Sequence, residues 1–222
     1  MTIVFGGLEY ASAANVVRRD SCQFVLADRG CRKRQRPIRK ITLHWTGGEP
    51  PSPERTYDVL QRRGLGVEFI GPFRDGTIYQ CCDPLAIDAR DDGLLDSVGI
   101  EIPNYGFIWP NRTRWGWRKP PKAGRDREVY CSLLRGQERY FADFYPAQKA
   151  AIMQWLDTTT AVLQIPRTVP LELNGCPASR TLQRAELAHF SGVLGHYHIS
   201  KRKADPGPRL LHDVAKHFAA RG

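Results

Sequence analysis

No apolar run in this chain approaches the roughly 20 residues that a membrane-spanning helix requires, so no membrane span is expected. The opening Thr2-Ile3-Val4-Phe5 is apolar, but no basic segment precedes it and no long apolar stretch follows. A Sec signal is therefore not expected, and synthesis in the cytoplasm is. Internal repeats and Gly/Ser-rich linkers are absent. None of the six cysteines belongs to a CxxC pair, which removes the thiolate metal knuckle from consideration. Cys81 and Cys82 are adjacent and would face opposite sides of a strand. Small buried thiols are the plain reading of the set, and a Cys22–Cys31 disulfide stays open. Acidic residues are in deficit, 23 against 33 basic ones, for a net charge of +10. Such a balance calls for an anionic partner, for which nucleic acid, acidic cell-wall polymer and membrane lipid fit equally well.

What is present suits one folded domain. The 222 residues are enough for a single well-filled core, and the 41% hydrophobic and 25% charged fractions exclude disorder as the default. Ile41-Thr42-Leu43-His44-Trp45-Thr46 alternates as a strand, with Ile41, Leu43 and Trp45 on one face and Thr42, His44 and Thr46 on the other. Gly47-Gly48 ends it, leaving His44 near a rim, where it reads either as a ligand or as a structural histidine. Ser52-Pro53-Glu54 opens a helix predicted to run to about Arg63. Strands are predicted over Val67–Ile70 and Gly76–Cys81, joined by a turn at Arg74-Asp75-Gly76. In Ser97-Val98-Gly99-Ile100-Glu101-Ile102 an acid sits in the middle of an apolar strand, a costly placement unless it is ion-paired or catalytic.

Residues 103 to about 144 carry no clear periodicity and are read as a long loop. There Tyr105, Phe107, Trp109, Trp115 and Trp117 interleave with Arg112, Arg114, Arg118 and Lys119. This is either an aromatic cluster folded on itself or a surface that stacks sugar rings or bases. The basic run Arg29, Arg32, Lys33, Arg34, Arg36, Arg39 and Lys40 reads as a solvated edge strand or loop, with a nucleic-acid or wall-binding arm as the alternative. A helix is expected from Pro146 to about Gln164, a short one within Thr181–His189, and a last one from Pro208 that buries Leu210, Leu211, Val214 and Phe218. The fold class is α/β: one domain with a central mixed sheet flanked by helices.

The segment Gly192-Val193-Leu194-Gly195 runs into His196-Tyr197-His198 and then into Lys203-Ala204-Asp205-Pro206-Gly207-Pro208. Read as a strand, it turns His196 and His198 to one face, followed by an aspartate on a rigid turn. His44, Glu101, His196 and Asp205 then offer two imidazoles and two carboxylates. Two histidines and one carboxylate with a fourth position open to water is the donor pattern of catalytic zinc. The remaining carboxylate would move protons and Lys203 would face an oxyanion.

The pieces ITLHWTGG (41–48), VEFIGPFRDGTIYQ (67–80), SVGIEIPN (97–104), YPAQKAAIMQWL (145–156) and GHYHISKRKADPGP (195–208) together resemble the N-acetylmuramoyl-L-alanine amidase family. These are the zinc amidases related to peptidoglycan recognition proteins and to phage lysozyme-type amidases. The resemblance covers the chain from about residue 38. It implies an amidase domain over 38–222 with an insertion at about 103–144, and an extension of residues 1–37 packed on it. It implies Zn2+ held by His44, His196 and Asp205, with Glu101 as catalytic acid/base and Lys203 as the transition-state cation. Trp45, Thr46, Trp109, Arg112 and His198 are the candidate substrate contacts, His198 lying beside the metal rather than on it.

Departures from the family pattern are Val67 where a tyrosine is frequent, Ala86-Ile87-Asp88-Ala89 where a histidine is frequent, and His198 where an acid is common. The implied reaction is hydrolysis of the amide between N-acetylmuramic acid and L-alanine of the stem peptide. The partner is peptidoglycan or a muropeptide, with no specific nucleic acid, and the protein is expected to be a monomer. A phage endolysin released to the wall by a holin is the leading expectation. A cytoplasmic muropeptide-recycling amidase and a non-catalytic peptidoglycan-binding protein are the alternatives, and a basic nucleic-acid-binding domain is a third reading from charge alone.

Overall fold

The computed structural model describes residues 1–18, 32–48, 50, 52–89, 94–108 and 127–221. Along the chain run β1 (Thr2–Phe5), β2 (Leu8–Ala11), β3 (Val16–Arg18), β4 (Arg32–Lys33), β5 (Lys40–Trp45), α1 (Pro53–Arg62), β6 (Phe69–Ile70), β7 (Ile78–Gln80) and β8 (Ile87–Asp88). There follow β9 (Ser97–Ile102), β10 (Phe107–Ile108), β11 (Val129–Leu134), β12 (Gln137–Ala142), α2 (Pro146–Leu163), α3 (Arg184–His189), β13 (Gly192–Gly195), α4 (His196–Ile199) and α5 (Pro208–Ala219).

Six strands form the central sheet in the order β13-β5-β9-β6-β7-β3. β13, β5, β9 and β6 pair in parallel, β6 and β7 are antiparallel, and β3 lies parallel to β7 at the edge. The mixed sheet expected from the sequence is present. Its central strands are covered on both faces: every residue of Lys40–His44 and of Ser97–Ile102 is buried, as parallel strands in α/β proteins are. The larger core lies on the side of Ile41, Leu43, Val98 and Ile100, filled by Trp155 and Ile152 of α2 and by Leu210, Leu211 and Val214 of α5. A smaller cluster, Tyr57, Leu60, Val67, Ile70 and Cys81, packs α1 against the sheet.

The helices follow their sequence signals. Ser52 Oγ accepts a hydrogen bond from the Arg55 N–H at 3.4 Å, and Pro53 occupies the first turn of α1. Helix α2 ends on Gln164 in the left-handed region, φ 54°.

Three readings need correction. The segment 103–144 is not a plain loop: β10, β12 and β11 form a three-stranded antiparallel sheet, and Tyr130, Leu134 and Phe141 reach the core. Its alternation is masked because the outward face is also apolar, with Val129 and Leu133 exposed. Residues 109–126 lie outside the described residues, and with them Trp109, Arg112, Trp115 and Trp117; Cys22 and Cys31 are also outside. The basic run is not wholly a solvated edge. Arg34 pairs with Glu68 at 2.9 Å with both side chains buried, and Lys40 Nζ pairs with Asp96 Oδ2 at 2.5 Å. Nor are His196 and His198 on a strand: β13 stops at Gly195 and the histidines open the short helix α4. Residues 1–18, poorly patterned in sequence, contribute edge strand β3, with Ile3 and Phe5 in the main core.

Glu68 ties these layers together. Its carboxylate takes the Arg34 guanidinium, the Ala89 N–H at 3.1 Å and the Gly99 N–H of β9 at 2.9 Å. Removing one partner of a buried ion pair strands the other charge away from water. Glu68→Ala is expected to lower unfolding free energy by about 3 kcal/mol in urea titration. A loss below about 1 kcal/mol would mean that the pair behaves like a surface contact.

Candidate active site

Register brings the site together. In the parallel pairing of β5 with β9, His44 lies opposite Glu101; in that of β5 with β13, Leu43 lies opposite Gly195. His196, one residue further on, therefore emerges beside His44. All three leave the sheet at the carboxyl ends of parallel strands, where open α/β sheets place ligand sites. The Lys203–Asp205 loop folds back onto this edge through the Tyr197 N–H, which donates to the Asp205 carbonyl at 3.1 Å. Gly195 is needed at the junction: a Cβ there would stand 2.8 Å from Pro206 Cδ.

Three donor atoms meet. His44 Nδ1 and His196 Nδ1 are 2.8 Å apart, His196 Nδ1 and Asp205 Oδ2 2.9 Å, and His44 Nδ1 and Asp205 Oδ2 3.4 Å. All three residues are buried, and they are a group able to hold a metal ion. A tetrahedral zinc with ligands at about 2.1 Å sets its donors about 3.4 Å apart, so the observed triangle fits with movements of tenths of an ångström. The protonation states fit as well. Burial lowers the His196 pKa, favouring the neutral imidazole that can ligate. Burial also works to raise Asp205, but hydrogen bonds from His196 and His44 overcome it and hold the carboxyl well below its usual range.

Glu101 is the counterpart. Burial pushes its pKa up to about 7; Asp205 adds to the rise, while His44, Lys203 and Arg63 oppose it. Its Oε2 is buried and has no hydrogen-bond partner among the described residues. A carboxyl poised near neutrality with an oxygen uncommitted is suited to proton transfer.

Glu101, His44, His196, Lys203 and Asp205 line one cleft of about 330 Å³, whose other wall is Arg55, Val59, Leu60 and Arg63 from α1 and its end. Trp45 and Thr46 line it too. The indole lies flat on the backbone of Gly106, where a Cβ would come within 2.4 Å of the ring, so glycine is required there. Thr46 Oγ1 donates to the Gly48 carbonyl at 2.5 Å, shaping the turn after β5.

His198 lies behind the cleft rather than on its lining. It is fully buried; its Nδ1 accepts the Gly195 N–H at 3.0 Å and its Nε2 donates to the Ala178 carbonyl at 2.9 Å. Burial brings its pKa down to about 4, so it remains neutral and braces the turn that presents His196. Sequence reading missed the α1 wall, although the spacing of Arg55, Val59 and Arg63 at four-residue intervals puts them on one helical face.

No family model matches this chain, and no curated protein matches it either. Among solved structures, it is similar to the Ph2119 endolysin from Thermus scotoductus MAT2119 bacteriophage Ph2119, at 13% identity over 90% of this chain and 99% of that one, TM-score 0.49. It is similar to the E. coli N-acetylmuramyl-L-alanine amidase AmiD at 17% identity, over 96% of this chain and 66% of that one, TM-score 0.44. Drosophila PGRP-LB is similar at 17% identity over 91% and 93%, TM-score 0.48. These three neighbours are an endolysin, an amidase and a peptidoglycan recognition protein. The chemistry inferred for the site rests on its own side chains.

The raised Glu101 pKa has a consequence for stability. A carboxyl whose folded pKa lies above its unfolded value stabilises fully below about 4.5 and loses that contribution as pH rises through about 7. In metal-free protein, Glu101→Gln is therefore expected to gain stability relative to wild type at pH 8 but not at pH 4, by an amount on the order of 3 kcal/mol. Denaturation at the two pH values checks this, and a pH-independent difference would contradict it.

Proposed function

We propose that this protein is a zinc-dependent peptidoglycan amidase that hydrolyses the bond between N-acetylmuramic acid and L-alanine of the stem peptide. The observation that carries the reading is the convergence of His44 Nδ1, His196 Nδ1 and Asp205 Oδ2 within hydrogen-bonding distance in the cleft that also holds Glu101.

His44, His196 and Asp205 would hold the ion through two neutral imidazoles and one carboxylate, leaving room for a fourth ligand. Zinc bound there supplies Lewis acidity, polarising the scissile carbonyl and acidifying the attacking water. Glu101, ionisable near neutral pH, takes the proton from that water and returns it to the leaving alanine nitrogen. With Val67 where a tyrosine is frequent in the family, Glu101 does this alone. Lys203, on the same cleft, faces the negative charge that develops on the carbonyl oxygen. Trp45, fixed against Gly106, offers a rigid apolar surface beside the reacting bond.

The basic surface favours an extended anionic polymer over a small fragment, which supports an endolysin that reaches the wall after holin release over a recycling enzyme. Retention of all three donor residues argues against a protein that only binds peptidoglycan.

Zinc-loaded protein is expected to release peptides with free N-terminal alanine from purified sacculi, read by mass spectrometry, and to lyse permeabilised Gram-negative cells. Glu101→Ala should lower the rate by about 10²–10⁴-fold while keeping stoichiometric zinc. His196→Ala and Asp205→Ala should lose the metal. Full activity of Glu101→Ala, or undiminished zinc content in both ligand variants, would refute the assignment.

A further inference from the structure

A second groove of about 460 Å³ adjoins the cleft and shares Trp45, Thr46, Arg63, Lys203 and Asp205 with it. Among the described residues its lining carries five cations, Arg63, Arg135, Arg139, Arg202 and Lys203, against one carboxylate, Asp205. That carboxylate is already engaged by the two histidines.

Arg135 is the informative member. It occupies the β11–β12 turn with φ 54°, followed by Gly136 with φ 73°. Two-residue hairpin turns with both φ values positive favour Asn, Asp or Gly at the first position. A long charged side chain there is disfavoured by the turn itself, and such outliers collect where the side chain is used. Here its Nη1 donates to the Lys203 carbonyl at 2.9 Å, which fixes the guanidinium at the groove. Burial, and then the charge of Arg139, push its pKa down, so two like charges are held together on one wall. Clustered guanidinium forks match the two oxygens of a carboxylate.

We propose that Arg135, Arg139 and Arg202 form a carboxylate-binding subsite beside the His44–His196–Asp205 cluster, which selects the free carboxylates of an acidic peptide. Naming that peptide as the stem peptide of peptidoglycan rests on the amidase reading; the anion site itself does not.

Binding is measured by calorimetry on the zinc-loaded Glu101→Ala protein, in which turnover is slow on the timescale of the titration. The probes are a synthetic muramoyl peptide with free carboxylates and the same peptide with those groups converted to carboxamides. The acid form is expected to bind at least about tenfold more tightly. Arg139→Gln and Arg202→Gln should each erode that preference by about tenfold, as should Arg135→Asn, whose new residue suits the turn. Arg184→Gln, an exposed change on α3, should leave it intact, and circular dichroism verifies folding of each variant. Equal affinity for the two peptides overturns the subsite. So does a preference that survives the Arg139→Gln/Arg202→Gln double variant, or tighter binding of a poly(glycerol phosphate) than of the acid peptide. If wild-type protein releases nothing from sacculi yet the acid preference holds and follows the arginines, the subsite stands and the amidase reading falls.

Discussion

The parallel pairing of β5 with its two neighbours is the constraint on which the rest depends. His44 is opposite Glu101 across one ladder, and Leu43 is opposite Gly195 across the other. A slip of one residue in either ladder would send the polar residue to the wrong face, since strand side chains alternate. Burial on both faces forbids the slip: Ile41, Leu43, Val98 and Ile100 belong to the large core, and Ile70, beside Glu101 in the next pairing, to the small one. The hydrophobic layers that stabilise the sheet therefore also set the spacing of the donor atoms.

Burial has opposite consequences for the two carboxyls of the site. Glu101, with little to compensate its desolvation, is held near neutrality; Asp205, equally buried, is kept ionised by two imidazoles. Two acids of similar intrinsic strength are separated by their neighbours into one that titrates near neutrality and one that stays ionised. His198 illustrates the third outcome, a buried titratable group held neutral and bonded to two backbone partners.

Much of the scaffold was legible without coordinates. The helices beginning at Pro53, Pro146 and Pro208 carry local stop and start signals, and their buried stripes follow the helical period. Strand β5 stood out by its alternation and β9 as an apolar strand interrupted by Glu101. The β11–β12 hairpin did not, because β11 is largely apolar on both faces and the turn, Arg135-Gly136, lacks the Asn or Asp that usually marks one. The alternating His196 and His198 suggested a strand, but the chain coils after Gly195, where the Gly195 N–H meets His198 Nδ1 and the Tyr197 N–H meets the Asp205 carbonyl.

By itself the sequence determined the residue types available for chemistry and the α/β layering that carries them, since helical and strand periods and proline or glycine boundaries are local properties. Which of those residues share a site was decided only by tertiary structure. His44, Glu101 and His196 are far apart in the chain and meet because three strands pair in one register, while Asp205 joins them through the loop that folds back after His196. The cationic groove had the same origin: Arg135 and Lys203 are 68 residues apart and come together through a turn that no local pattern announced.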